Sequence, residues 1–200
     1  MVLSMLAATS EYDVIGVVDA GVPCSGEAIL GVPVIGGVDR LAELRKSGTE
    51  AAFLALGNGS ERAAAQAALA AHGYALPPLV HPTAFVDPTA QIGAGAQVCA
   101  MAFIGPEVVL GDGVIVNTHA AVDHESRVEN FATLSPAVAV AGRCLIGAGA
   151  FLGIGAKVSH GLHIGAGARL GAGAVALAGV PPSVLAIGIP ARVKPPAGMD

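Results

Sequence analysis

The sequence predicts a parallel β-helix of six-residue units over residues 80–178, preceded by a small Rossmann-like α/β unit over 1–79 and followed by a tail at 179–200. Two observations carry this: aliphatic residues recurring every six positions, and short apolar runs alternating with helical stretches ahead of them. The ladder reads Val80, Val86, Ile92, Val98, Ile104, Leu110, Val116, Val122, Val128, Leu134, Val140, Ile146, Leu152, Val158, Ile164 and Leu170. Four places after each comes a second, mostly small residue, from Ala84, Ala90 and Ala96 through Ser126 and Cys144 to Ala168 and Ala174. Two inward residues in every six is a hexapeptide-repeat signature, whose units bury their apolar side only when stacked on neighbours.

A period of six matches neither the alternation of a flat strand nor the stripe of a helix. A bend every six residues fits it, and three bends close a triangular coil of 18 residues. The reading places the aliphatic at each corner and the small residue on the flat face beside it. Sixteen units make about five and a third coils, with strands of successive coils roughly 4.8 Å apart. Gly or a small polar residue often follows the aliphatic, as in Ile92-Gly93, Val116-Asn117 and Ile146-Gly147, and is expected to supply the backbone angles of a tight bend. A disordered Ala/Gly-rich segment would lack the regularly placed branched aliphatics. The spacing alone allows either hand of helix.

In the first 79 residues, Asp13–Asp19 and Gly31–Gly36 read as strands, Asp39–Lys46 as a short amphipathic helix, Ala51–Leu56 as a third strand and Glu61–Ala71 as an Ala-rich helix. The alternation implies a parallel sheet with ligands at the carboxyl ends of its strands, which places Asp19 and Gly57-Asn58-Gly59 on the binding side. A nucleotide-binding unit of this kind opens with a strand and a Gly-rich turn. Here Met1–Leu6 resembles the helix after that turn, and both strand and turn are missing. Either the recorded start lies downstream of the natural one, or a phosphate contact has been lost.

Ten Lys and Arg against fifteen Asp and Glu leave a net charge of −5, with no clustered basic stripe of the kind nucleic acid requires. The stretch Ala172–Ala191 contains Pro181-Pro182, which argues against a membrane span, and the first ten residues lack a secretory pattern, so a cytoplasmic protein is expected. Cys24, Cys99 and Cys144 form no CxxC and cannot all pair; Cys144 falls at an inward small position as core filler.

The polar exception in the repeat is Val116–Glu125, which contains Asn117-Thr118 and Asp123-His124-Glu125. His124 stands two places after Val122, at an outward bend. A histidine can accept a proton near neutral pH, and an adjacent carboxylate can orient it and raise its basicity. One coil later the same column holds Gly142, whose amide could approach a reacting carbonyl. Base, orienter and oxyanion donor are what acyl transfer needs. From spacing alone, a catalytic and an ordinary surface histidine both remain open.

With the α/β unit, the His81-Pro82-Thr83-Ala84 step, the Asn117–Glu125 segment and the tail Gly188-Ile189-Pro190-Ala191-Arg192, the chain resembles the bacterial sugar O-acyltransferase family. This is the sialic acid O-acetyltransferase group, which includes nucleotide 4-amino-sugar N-acetyltransferases. The resemblance spans about Tyr12 to Arg192 and implies a left-handed β-helix and a homotrimer with sites between adjacent prisms. The activity it implies is acetyl-CoA-dependent N-acetylation of a UDP- or GDP-linked amino sugar, without a metal. It assigns His124 as general base, Glu125 as the residue raising its basicity and the Gly142 amide as the group polarising the thioester. Ile154 and Ala172 would line the acetyl-CoA channel, with Gly188 to Arg192 at its outer end. His124 and Gly142 of one site could come from different chains. Asp19, Gly57 and Asn58 would hold the nucleotide, with Arg62 a looser match. Thr133 stands where the family commonly has a second histidine contacting acetyl-CoA or the acceptor.

Three other readings compete: a sugar O-acetyltransferase, a zinc hydratase of the carbonic anhydrase type on the same prism, and a non-catalytic trimeric scaffold. The hydratase needs three histidine ligands. His119 and His124 suggest it, but the column places Thr83 and Pro88 where the third ligand would fall, and His160 stands two coils from His124, roughly 10 Å away along the axis. That spacing is expected to keep His160 out of reach.

Overall fold

The structure, a computed structural model, describes residues 1–19 and 27–194; Cys24 and residues 195–200 of the expected tail lie outside them. From Leu79 the chain winds into three sheets, one for each face of a prism. The first face stacks Leu79–Val80, Gln97–Val98, Ile115–Val116, Thr133–Leu134, Phe151–Leu152 and Arg169–Leu170 in parallel. The second runs from Phe85–Val86 to Val175–Ala176, and the third from Gln91–Ile92 to His163–Ile164. Each two-residue strand pairs with its counterpart one 18-residue coil on, as Ile115 with Thr133 and Thr133 with Phe151. The stacked sheets fit a left-handed β-helix of hexapeptide repeats.

The aliphatics lie within the strands, not at the corners, and the bends follow two and three places later, as at Ala94 and Gly95 after Ile92. Left-handed backbone falls on the later of those two places: φ is 66° at Gly95, 57° at Glu107, 56° at Glu125 and 58° at Arg143. The glycine directly after an aliphatic therefore answers a different demand from the one expected of it. A Cβ on Gly93 would lie 2.6 Å from the Gly111 carbonyl carbon, and one on Gly153 would lie 2.7 Å from the Ala172 nitrogen. Coils pack too closely there to admit a side chain.

Inside the prism, Ile104, Leu134, Ile146, Leu152 and Ile164 are wholly buried together with Ala96, Ala132 and Ala156. Large and small columns thus alternate, and each large side chain contributes about 1.5–3 kcal/mol over its exposed state. Ser126 is the polar member of the small column; its hydroxyl donates to Ala141 O and accepts from Cys144 N. Cys144 and Cys99 are free and buried, and burial raises both thiols, Cys99 to about 11. The ladder shortens after Leu170 but does not stop: Arg169 pairs with Leu185, and Ile164 bridges Val180. Arg192–Val193 then folds back antiparallel onto Leu185–Ile187, so residues expected as tail extend the first face.

The N-terminal unit holds α1 (Val2–Thr9), β1 (Val17–Val18), β2 (Ala28–Ile29), β3 (Val32–Gly36), α2 (Leu41–Lys46) and α3 (Gly59–Ala71). β1 runs parallel to β3, and β2 antiparallel to it. The strand expected over Ala51–Leu56 reduces to one bridge, Ala51 to Ala75. Two of that segment's carbonyls are taken by side chains instead: Leu54 O by Gln97 Nε2 and Leu56 O by Arg62 Nη1. α3 begins two residues earlier than expected because Asn58 caps it, its Oδ1 accepting from Ser60 N at 2.9 Å and Glu61 N at 3.4 Å. The unit sits on the first face of the prism. Val2, Met5 and Leu6 of α1 pack with Leu79 and Cys99, and the outward-pointing Gln97 and Ile115 are buried beneath it.

Candidate active site

The bend after Val122 is built by local hydrogen bonds. Asp123 Oδ1 accepts the His124 amide at 2.7 Å, and Glu125 N donates to Pro106 O in the preceding coil. The left-handed backbone at Glu125 turns its carboxylate back onto the histidine, with His124 Nδ1 2.9 Å from Glu125 Oε2. Arg143, one coil on and also left-handed, donates its Nε to the same oxygen at 2.9 Å. The bond to His124 and then the one to Arg143 hold the Glu125 carboxyl below its ordinary range. An ionised carboxylate only accepts, so Nδ1 carries the hydrogen and neutral His124 presents a lone pair at Nε2.

Nε2 lies over Gly142. A Cβ there would fall 2.6 Å from His124 Cε1 and closer still to Nε2, so glycine is what lets the imidazole occupy this position. The Gly142 carbonyl accepts from Gly161 N, while its N–H has no hydrogen-bond partner among the described residues. His124 and Gly142 come together within one chain, which replaces the expectation that they could be supplied by different chains. Nor does His160 stay out of reach: its ring centroid lies 6.3 Å from that of His124, tilted by 45°. Coil spacing measures backbones, and the glycine between the two leaves their rings unscreened.

Ile154 and Ala172 are also brought together. They line a groove of about 360 Å³ with Ser135, Pro136, Arg169 and Leu185, and Arg169 stacks over Phe151 at 4.5 Å. This groove follows the edge between the first and second faces, whereas His124, Gly142 and His160 occupy bends between the second and third. Gly188 O accepts from Val175 N, and Arg192 lies in the returning strand that pairs with Leu185–Ile187.

Arg62 departs from its expected nucleotide contact. It is completely buried: Nε donates to Gly113 O, Nη1 to Gly57 O and Leu56 O, and Nη2 to Phe131 O, Ala132 O and the Thr133 hydroxyl. Its fork ties the loop before α3 to the first face and holds Thr133 at 2.8 Å. Asn58 spends its Oδ1 on the helix cap, and Asp19 follows β1, its amide donating to Gly36 O. Asn117 likewise caps its own bend, accepting from Thr118 N. Among the described residues no group of three His, Cys, Asp or Glu side chains is arranged to hold a metal ion, and no helix is long and apolar enough to cross a membrane. The sequence reading missed Arg143, although it stands one 18-residue coil after Glu125.

A hexapeptide prism with a carboxylate-oriented histidine at an outward bend carries the parts of a general-base site. No family model and no curated protein matches the chain. Solved structures do. A His-to-Asn variant of perosamine N-acetyltransferase from Caulobacter crescentus, in complex with CoA and GDP-perosamine, is 39% identical with a TM-score of 0.93, over 98% of this chain and 91% of that one. PerB from the same organism, also with CoA and GDP-perosamine, is 40% identical with a TM-score of 0.91, over 97% and 91%. The acetyltransferase domain of PglB from Neisseria gonorrhoeae, in complex with acetyl coenzyme A, is 35% identical with a TM-score of 0.90, over 96% and 91%. The chain belongs to the hexapeptide-repeat sugar acetyltransferases.

Proposed function

We propose that this enzyme transfers the acetyl group of acetyl-CoA to the amino group of a nucleotide-linked sugar, with His124 as general base. One observation carries the reading. His124 is oriented by Glu125 at 2.9 Å with Nε2 over Gly142, in a chain 39% identical across nearly its whole length to an enzyme crystallised with CoA and GDP-perosamine. His124 takes a proton from the attacking amine, and Glu125, steadied by Arg143, stabilises the imidazolium that results. The Gly142 N–H polarises the thioester oxygen. An amine attacks a thioester more readily than a hydroxyl, which favours N- over O-transfer.

The groove at Ile154 and Ala172 fits the co-substrate in kind. It is apolar along Phe151 and Leu185 and carries one cation, Arg169, for a phosphate-bearing ligand. Gly188 and Arg192 are assigned to its outer end, and Thr133, whose oxygen accepts from Arg62, keeps its own hydrogen to donate. Asp19, Gly57 and the Asn58 amide nitrogen are assigned to the nucleotide, on a Rossmann-like N-terminal unit. Base and groove follow different edges of one prism, which supports a homotrimer whose neighbouring chains complete each site. The second face between those edges supports it too, exposing Phe85 stacked on Phe103 at 5.2 Å.

The reading is tested by free-thiol release from acetyl-CoA with GDP-perosamine, a UDP-linked 4-amino sugar, and the corresponding 4-hydroxy sugars as acceptors. Turnover confined to the amino sugars is expected; turnover confined to the hydroxy sugars would make it an O-acetyltransferase, and none with any acceptor would leave a scaffold. Within this reading Gly142→Ala displaces the imidazole, and a loss of about 10²-fold in kcat is expected with circular dichroism unchanged. Wild-type kcat in that variant would contradict the placement of the ring.

A further inference from the structure

From Ala84 to Ala174 the second inward residue of every unit is Ala, Val, Leu or Cys with one exception, and that hydroxyl stands directly behind the site. Ser126 is 1% exposed and lies one coil before the Gly142 bend. At other bends of this edge the last amide closes on the first carbonyl, as Ala90 N does on Asp87 O and Val108 N on Gly105 O. In the 141–144 bend the hydroxyl is inserted between the two. Cys144 N donates to Ser126 Oγ at 3.0 Å, and Ser126 Oγ donates to Ala141 O at 3.1 Å. The hydroxyl also approaches His124 O at 3.4 Å, but that carbonyl already accepts from Arg143 N at 2.8 Å.

Ala141 O and the Gly142 N–H are the two ends of one trans peptide group. In a trans peptide they point in opposite directions. Holding the carbonyl on a buried hydroxyl therefore sends the N–H outward, to the side where the His124 ring is exposed, and there it has no partner among the described residues. Hydrogen bonds in a chain polarise one another, so the bond from Ser126 to the carbonyl makes the Gly142 N–H a stronger donor. On the far side of the glycine, Gly161 N holds Gly142 O at 3.0 Å. The same device recurs one coil on, where Cys144 Sγ donates to Ser159 O at 3.2 Å.

Resting on the reading of the Gly142 N–H as the donor that polarises the thioester, we propose that Ser126 is the positioning residue that aims and strengthens this donor. It acts from inside the prism and touches neither substrate. Without its hydroxyl, Cys144 N is free to close on Ala141 O as the amides of other bends do. That closure rotates the Ala141–Gly142 peptide and takes its N–H out of line while the coil stays intact. Alanine fits the place, since Ala120 and Ala132 fill it in neighbouring units at 1% and 0% exposure.

The test takes the wild type, Ser126→Ala and Ser126→Cys. For each it measures kcat and both KM values with the acceptor that the panel above turns over, a melting curve, and the infrared carbonyl stretch of isotope-labelled acetyl-CoA bound without acceptor. In the wild type the bound thioester is expected to absorb at lower frequency than free acetyl-CoA. Ser126→Ala should lose that shift and about ten-fold in kcat, with both KM values within about two-fold and the melting curve unchanged. Ser126→Cys keeps an S–H, a weaker donor, and should recover part of both losses. With the shift present in the wild type, three results would each overturn the role of Ser126 and leave Gly142 as the donor: wild-type kcat and shift in Ser126→Ala, a deficit in kcat with the shift intact, or no recovery in Ser126→Cys. No shift in the wild type would remove the donor, and the role of Ser126 with it. The infrared measurement needs no acceptor, so it decides between these outcomes even where the panel yields no turnover.

Discussion

His124→Ala is expected to lower kcat by about 10²–10⁴-fold, with melting temperature and elution volume unchanged. The size of the effect follows from what remains when the imidazole goes. Gly142 still offers its N–H and the groove still holds its ligand, but the imidazole that a carboxylate holds over the glycine is gone. The fold persists because the bend does not depend on the ring: it is held by Asp123 on the backbone amide, Glu125 N on Pro106 O and Arg143 N on His124 O. The bonds from His124 and then Arg143 keep Glu125 ionised below the ordinary carboxylate range, so a loss of wild-type activity at or above that range does not come from protonation of this carboxylate. Undiminished kcat in His124→Ala would reject it as the base.

Arg62→Ala carries the largest expected effect on stability, a loss of about 3–5 kcal/mol. The guanidinium is completely buried and its fork reaches acceptors on both sides of the boundary between the N-terminal unit and the prism. Truncation strands the buried Gly113 carbonyl, takes a donor from the carbonyls of Gly57 and Phe131, and leaves a cavity behind. The damage is directional. Prism coils beyond Phe151 do not touch Arg62, so the thermal transition should split, with the N-terminal unit released first. Arg62→Lys restores charge but not the planar fork, and is expected to recover only part of the loss. A single transition within about 2 °C of wild type would show that the two parts are held together by the apolar contacts of α1 alone.

The prism was legible because its signal is redundant. Sixteen aliphatics in step leave one economical solution, and the 18-residue coil they imply is the register observed between Thr133 and Phe151. The same ruler placed Gly142 beside His124. It misjudged His160 because a coil count measures backbone separation, and side chains reach across a glycine. The N-terminal unit was less legible. Segment 51–56 has the composition of a strand, but its carbonyls are claimed by Gln97 and Arg62, partners remote in sequence that no local propensity reveals. Arg62 itself looked like a ligand-binding arginine for the same reason: its burial is decided by Gly113, Phe131 and Thr133 on another part of the chain.

The most direct measurement is a crystal structure of the enzyme with CoA and the acetylated sugar product. The product amide nitrogen is expected within about 3.2 Å of His124 Nε2, with the amide carbonyl oxygen facing the Gly142 N–H and CoA along Ile154 and Ala172. A sugar seated away from His124, with another side chain at its amide nitrogen, would contradict it.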